Sequence, residues 1–151
     1  MAGDGFAEDA ATLTIPAEPA RQAEVRALVR STATEAGADE ETTSDLIQAV
    51  DELVCNVIVH GYAGRQGSID VTVGRSDDTL VVRIRDDAPP FDPRSRATPR
   101  LDLPLEHRPF GGMGIHLART LTDRIDHRIL PGGGNEVTVT KALGHTANTG
   151  G

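Results

Sequence analysis

The chain has no tryptophan, one tyrosine and three phenylalanines, so aromatic residues make up only 3% of its 151 positions. Stacking platforms for single-stranded nucleic acid are therefore nearly absent, and the core must be assembled from Leu, Val, Ile and Ala. Positive charge is also scarce. Fifteen Lys and Arg face 23 Asp and Glu, a formal net charge of −8, which opposes both a phosphate backbone and an anionic membrane surface. Neither nucleic acid nor membrane is expected as a partner. The single cysteine, Cys55, cannot form an internal disulfide. No apolar run is long enough to span a bilayer, and the acidic N-terminus does not resemble a signal peptide. These absences point to a cytoplasmic protein, and the length suits one domain with a single core.

What the chain does contain is strong local patterning. Thr12 to Ile15 reads as a short strand, and Pro19 to Ala36, closed by Gly37, as a helix. From Asp39 or Glu40 a second helix begins. In it Leu46, Val50, Leu53, Val54, Val57 and Ile58 recur at steps of three and four to make one apolar stripe, and Gly61 is placed to end it. Ile69, Val71 and Val73 alternate with polar residues, and after a turn at Ser76 to Asp78 the run Leu80 to Ile84 completes a hairpin. A proline-punctuated loop extends from Asp86 to Gly111. A helix over 112–122 and two strands, 124–130 and 136–140, around a turn at 131–134 close the folded part. Residues 11–142 thus form one domain, flanked by loose tails at 1–10 and 143–151. Hairpins with helices between them predict an α+β layer, with helices on one face of a mixed sheet.

Three stretches carry chemistry. Glu52 and Asn56 lie four residues apart on the long helix and share a face, with His60 one turn further. A carboxylate there can accept a proton from an attacking hydroxyl, and an Asn carbonyl oxygen can ligate Mg²⁺, a hard ion that prefers oxygen donors. The same pair would also suit a solvated helix face, but Asn is a poor mid-helix residue in an apolar segment. Asp86 and Asp87 end a strand before Ala88-Pro89-Pro90, where a carboxylate could accept a hydrogen bond from an exocyclic amino group or simply shape a turn. Gly111, Gly112 and Gly114 lead into a helix whose free N–H groups could cradle phosphate, or could form a linker. The loop before them, Arg94 to Arg108, sets four arginines against Asp102 and Glu106, as a lid over an anionic ligand would. His107 and His116 lack the paired spacing of metal ligands.

In order, spacing and spelling, DLIQAVDELVCNVIVHGY (45–62), RDDAPPFDP (85–93) and RPFGGMGIHL (108–117) resemble the N, G1 and G2 boxes of GHKL (Bergerat-fold) ATPases. They are more similar still to the bacterial anti-sigma-factor serine/threonine kinases. The resemblance covers roughly residues 13–141. It implies a two-layer α/β sandwich with a mixed, mostly antiparallel sheet and ATP with Mg²⁺ as ligands. By position, Glu52 would be the catalytic base, Asn56 the Mg²⁺ ligand and Asp86 the reader of the adenine amino group. Gly112 and Gly114 would meet the phosphates, and Arg108 would lie in the ATP lid. Asn135 would stand near where the superfamily often places a Thr that supports the adenine. The usual DxGxG of G1 is replaced by Asp86-Asp87-Ala88-Pro89-Pro90, a spelling that separates the chain from histidine kinases, gyrases and chaperones. No dimerisation and phosphoacceptor helix pair precedes the domain, so an ATP-binding domain by itself is expected.

The resemblance implies a kinase that holds a sigma factor inactive and phosphorylates a small anti-anti-sigma (STAS-domain) antagonist, in the homodimer usual for that family. Two other readings stand beside it. One is a non-catalytic ATP-binding module that regulates by sequestration, kept open by the missing G1 glycines. The other is a simple ATPase in which Glu52 activates water.

Overall fold

A computed structural model describes residues 10–89 and 112–143. Strand β1 (Ala11–Pro16) leads through a 3₁₀ turn into α1 (Gln22–Glu35), followed by α2 (Glu40–Asn56), β2 (Ser68–Ser76), β3 (Thr79–Asp86), α3 (Gly112–Leu121), β4 (Arg124–Ile129) and β5 (Asn135–Ala142). The strands form one sheet in the order β1-β2-β3-β5-β4, and every described pairing is antiparallel. The α+β expectation, with helices layered on a sheet, is borne out, although the described pairings make the sheet antiparallel and not mixed.

The helices form where the sequence pattern says they should. Asp39 caps α2, its carboxylate accepting from the Thr42 N–H at 2.7 Å, which satisfies one of the donors a helix start leaves open. All six residues of the expected α2 stripe are buried, from Leu46 at 0% exposure to Ile58 at 7%. They meet Val25, Val29 and Ala33 of α1 and the inner sheet residues Ile69, Val71, Val73, Val82, Ile84, Val137 and Val139. Each such side chain withdrawn from water contributes about 1.5–3 kcal/mol.

The end of α2 departs from expectation. Gly61 does not stop it. After Asn56 the chain widens into a π-helical turn over Val57–Tyr62, and Ala63 (φ 54°) and Gly64 (φ 88°) leave it through left-handed conformations. Such wide turns concentrate at functional sites, because they re-aim side chains within a continuous helix.

Lys141 sets the direction of α3. Its ammonium donates to the Leu121 carbonyl at 2.6 Å, capping α3, and lies 3.8 Å from Asp45 near the start of α2. The C-terminal end of α3 and the N-terminal part of α2 thus meet at one lysine, and α3 packs on α2. Ten helical residues rise about 15 Å, about the length of α2 from Asp45 to Asn56.

Candidate functional site

The register brings together residues far apart in sequence. Asp86, the last residue of β3, pairs directly with Asn135, the first of β5, on the rung that begins with Ile15 and Ile69. Both polar side chains therefore point to the helix-covered face, and both are buried, at 4% and 0% exposure. Asn135 donates its Nδ2 to Asp86 Oδ1 at 3.0 Å and also to the carbonyls of Ala88 and Pro89, at 3.3 and 3.2 Å. The Ala88 N–H donates to the same Asp86 Oδ1 at 2.9 Å. That oxygen is fully engaged, whereas Asp86 Oδ2 is buried without a hydrogen-bond partner. Burial pushes the Asp86 carboxyl above the ordinary aspartate range, against the lowering effect of those two hydrogen bonds.

The same geometry explains why this turn manages without the G1 glycines. Ala88 is buried and held by the bond to Asp86 Oδ1, and positions 87 and 88 do not adopt positive φ. A turn closed by an Asp side chain on its own downstream N–H does not require glycine. The close approach is supplied instead by the residue just before β5. Gly134 has φ 94°, and a Cβ there would stand 2.2 Å from the Asp86 carbonyl oxygen.

Asn56, the last residue of α2, is 2% exposed. Its Nδ2 donates to the Glu52 carbonyl at 2.9 Å, which turns its Oδ1 away from the helix backbone. That Oδ1 is buried and has no hydrogen-bond partner. Glu52 lies one turn earlier and is partly buried, and its carboxyl is raised above the usual range by burial first and by neighbouring Asp51 second. Asp51 is itself fixed by Gln22 and Arg26 of α1, at 3.0 and 2.8 Å.

Tyr62 ties the helix side of the site to the sheet side. Its hydroxyl donates to the Ser68 carbonyl at 2.6 Å and accepts from the Asp87 N–H at 2.8 Å. Gly67 lies flat against the ring, where a Cβ would approach to 2.1 Å. Tyr62, Gly67 and Gly134 are site residues to which the sequence motifs attach no role. The signal that could have flagged them was a lone tyrosine in a chain almost devoid of aromatics, and glycines just ahead of two strands.

The remaining expected site residues fall differently. Gly112 and Gly114 lie in the first turn of α3, where backbone N–H groups lack intrahelical acceptors. Arg108, Gly111 and the arginine-rich loop lie outside the described residues.

The donor set fits Mg·ATP. Two buried oxygens without partners, Asn56 Oδ1 and Asp86 Oδ2, are the atoms a metal ion and an amino group would satisfy. Among the described residues no group of three or more His, Cys, Asp or Glu side chains could hold a metal ion. Mg²⁺ is commonly held by one or two protein oxygens together with phosphate oxygens and water, and Asn56 Oδ1 is an oxygen of that kind.

A two-layer α+β domain with these groups at one end of its sheet is the architecture of a kinase-like ATPase module. Residues 15–141 match the family described as the histidine kinase-like ATPase domain, and the chain belongs to that family. Among its relatives is the serine-protein kinase RsbW of Bacillus cereus (strain AH187), 30% identical over 135 residues that cover 87% of this chain and 83% of the relative. RsbW of Bacillus anthracis is 29% identical over the same coverage. A crystal structure of the RsbU and RsbW domains of a Mycobacterium tuberculosis protein shares the fold, with a TM-score of 0.62 at 22% identity over 89% of this chain. The chain spans 32% of the length of that larger protein. The resemblance to the anti-sigma-factor kinases is thereby borne out at the level of family. No helix among the described residues is long and apolar enough to cross a membrane.

Proposed function

We propose that the chain is an ATP-dependent protein serine/threonine kinase that acts in the cytoplasm as an anti-sigma factor. It sequesters a sigma factor and phosphorylates a serine or threonine of a STAS-domain antagonist. The observation that carries the nucleotide part is the pair of buried oxygens without partners, on Asn56 and Asp86. Each would cost about 1–3 kcal/mol left unsatisfied, a cost that a ligand presenting a metal ion and an amino group removes. The kinase assignment rests on similarity to the serine-protein kinase RsbW, and the partner assignments on the motif resemblance to the anti-sigma-factor kinases.

In this reading Asp86 Oδ2 accepts the adenine amino group, while Asn135 holds the other carboxylate oxygen. Mg²⁺, when bound, neutralises phosphate charge and fixes the orientation of the transferring group. Asn56 Oδ1 is its protein ligand. The N–H groups of Gly112 and Gly114, together with Arg108, offset the remaining charge. Glu52 accepts the proton of the incoming hydroxyl, a task helped by a carboxyl raised toward neutrality. Such a site works by positioning and electrostatics.

Calorimetric titration of Mg·ATP into the protein, with Asn56→Ala and Asp86→Asn beside it, tests the nucleotide site. Micromolar binding by the wild type, lost in both variants, is expected. Incubation with ATP and a STAS-domain protein then tests transfer, and phosphoprotein is the expected product. Binding without phosphoprotein would favour the sequestration-only module, and phosphate release without a partner would favour a simple ATPase.

A further inference from the structure

We infer that His127 is a positioning residue for nucleotide specificity. By donating to Asn135 Oδ1 it joins the three acceptors around Nδ2 in holding the Asn135 amide, and so helps to keep Asp86 Oδ1 engaged and Oδ2 turned toward the purine. The inference rests on the adenine role proposed for Asp86.

The hydrogen bonds around one amide show its orientation. Asn135 Nδ2 is surrounded by three acceptors, namely Asp86 Oδ1 and the Ala88 and Pro89 carbonyls, at 3.0, 3.3 and 3.2 Å. Only the NH₂ end of an amide can face three oxygens. The Asn135 Oδ1 must then point the other way, where it meets His127 Nε2 at 3.1 Å. Because Oδ1 is an acceptor, His127 must carry a proton on Nε2. The bond crosses diagonally from β4 to β5, since His127 pairs with Val137 and Asn135 with Ile129. A string of three side chains results, running from His127 on an outer strand through Asn135 to Asp86.

The string has a direction and a consequence. An Asn amide can flip at little steric cost, and flipped it would present a carbonyl oxygen to the Asp86 carboxylate. The His127 N–H opposes the flip by donating to Oδ1. With the amide held, Asp86 Oδ1 receives the Asn135 NH₂ and the Ala88 N–H, and Oδ2 is presented as an acceptor only. An acceptor at that point favours a purine with an amino group at C6 and repels one with a carbonyl there. The imidazolium form also keeps a proton on Nε2, so the device works whether His127 is neutral or charged.

The test measures affinities of the wild type, His127→Ala and His127→Gln for Mg·ATP and Mg·ITP, which differ in the C6 substituent. Gln can place a donor near the position of His Nε2. The wild type is expected to prefer ATP. In His127→Ala the ATP-to-ITP ratio should fall by about tenfold, the effect of misaligning one hydrogen bond to a charged group. In His127→Gln the ratio should return close to the wild-type value. A ratio unchanged in His127→Ala, whether or not both affinities fall together, would show that His127 only supports the strand, and a failure of Gln to restore it would rule out the donor role. A wild type that does not distinguish ATP from ITP would instead overturn the reading of Asp86, and this inference with it. Long-range ¹H–¹⁵N correlation on the wild-type imidazoles gives a check that depends on no variant's stability, with the His127 signal assigned by its loss in His127→Gln. A proton on Nε2 is expected, and the Nδ1–H tautomer would refute the assignment.

Discussion

The Tyr62 hydroxyl accepts a hydrogen bond from the Asp87 N–H at 2.8 Å, so that the π-helical turn after α2 holds the backbone of the residue next to Asp86. The same hydroxyl donates to Ser68 at the start of β2. Tyr62→Phe keeps the ring and its packing on Gly67 but removes both bonds. A loss of about 1–3 kcal/mol in unfolding free energy is expected from the groups left unpaired. Because one of those groups is the Asp87 N–H, ATP affinity should weaken by more than it does for a variant equally destabilised elsewhere, such as Val29→Ala in α1. Denaturant unfolding and calorimetry on the two variants make the comparison.

Acidification should separate binding from folding. Burial raises the Asp86 carboxyl, so its ionised form weakens the folded state above that raised pKa, and the penalty is relieved as pH falls through it. Glu136 behaves in the opposite sense. Burial alone would raise it, but hydrogen bonds from Arg128 and Arg85, at 2.8 and 2.6 Å, outweigh burial and hold it below the ordinary range. Its stabilising contribution is present above the unfolded carboxyl pKa and is lost only as pH falls through its lowered folded value. On mild acidification Asp86 therefore protonates before Glu136. The proton goes to Oδ2, since Oδ1 already accepts two hydrogen bonds, and Oδ2 then becomes a donor facing a donor. ATP affinity should fall while the unfolding midpoint in denaturant rises slightly, as the Asp86 penalty is relieved and Glu136 stays ionised. In Asp86→Asn, whatever affinity remains should be insensitive over that interval.

Much of the fold could be read along the chain because the stripe Leu46 to Ile58 and the alternation at Ile69, Val71 and Val73 are local periodicities, and burial follows period directly. The site was legible only as spelling. That Glu52 and Asn56 share a face follows from helical spacing. That Asp86 and Asn135 touch depends on β5 inserting between β3 and β4, a pairing across 49 positions that no local pattern encodes. Gly61 looked like the helix stop because glycine commonly ends helices, but the π turn carried the chain two residues further before left-handed backbone appeared at Ala63. In the run Gly132 to Gly134, composition could not say which glycine the structure needs.

Glu52 and Asn56 should separate kinetically. The Glu52 carboxyl is raised by burial and by Asp51, and its role in the proposed reaction is to accept a proton. Glu52→Ala should therefore bind Mg·ATP near wild-type affinity and lose transfer by about 10²–10⁴-fold, the usual contribution of a general base. Asn56→Ala should lose Mg²⁺-dependent ATP binding itself. Phosphotransfer to a STAS-domain protein at saturating ATP, set beside binding isotherms, distinguishes the two. Full transfer by Glu52→Ala would remove it as the base.

Gly134→Ala should damage both the fold and the site. It combines a backbone at φ 94°, which an L side chain rarely adopts, with a Cβ that would stand 2.2 Å from the Asp86 carbonyl oxygen. The first effect costs about 1–3 kcal/mol, and the second cannot be relieved by a rotamer change because the obstacle is backbone. Relief must come from β3 and β5 moving apart at the Asp86–Asn135 rung, which lengthens the bond from the Asn135 amide to Asp86. Gly132→Ala is the control, since its Cβ would meet nothing within 4 Å and its φ is not positive. Thermal unfolding and ATP titration should show Gly134→Ala weakened in both and Gly132→Ala close to wild type in both. A Gly134→Ala variant of full stability and affinity would mean that the rung can yield without disturbing Asp86.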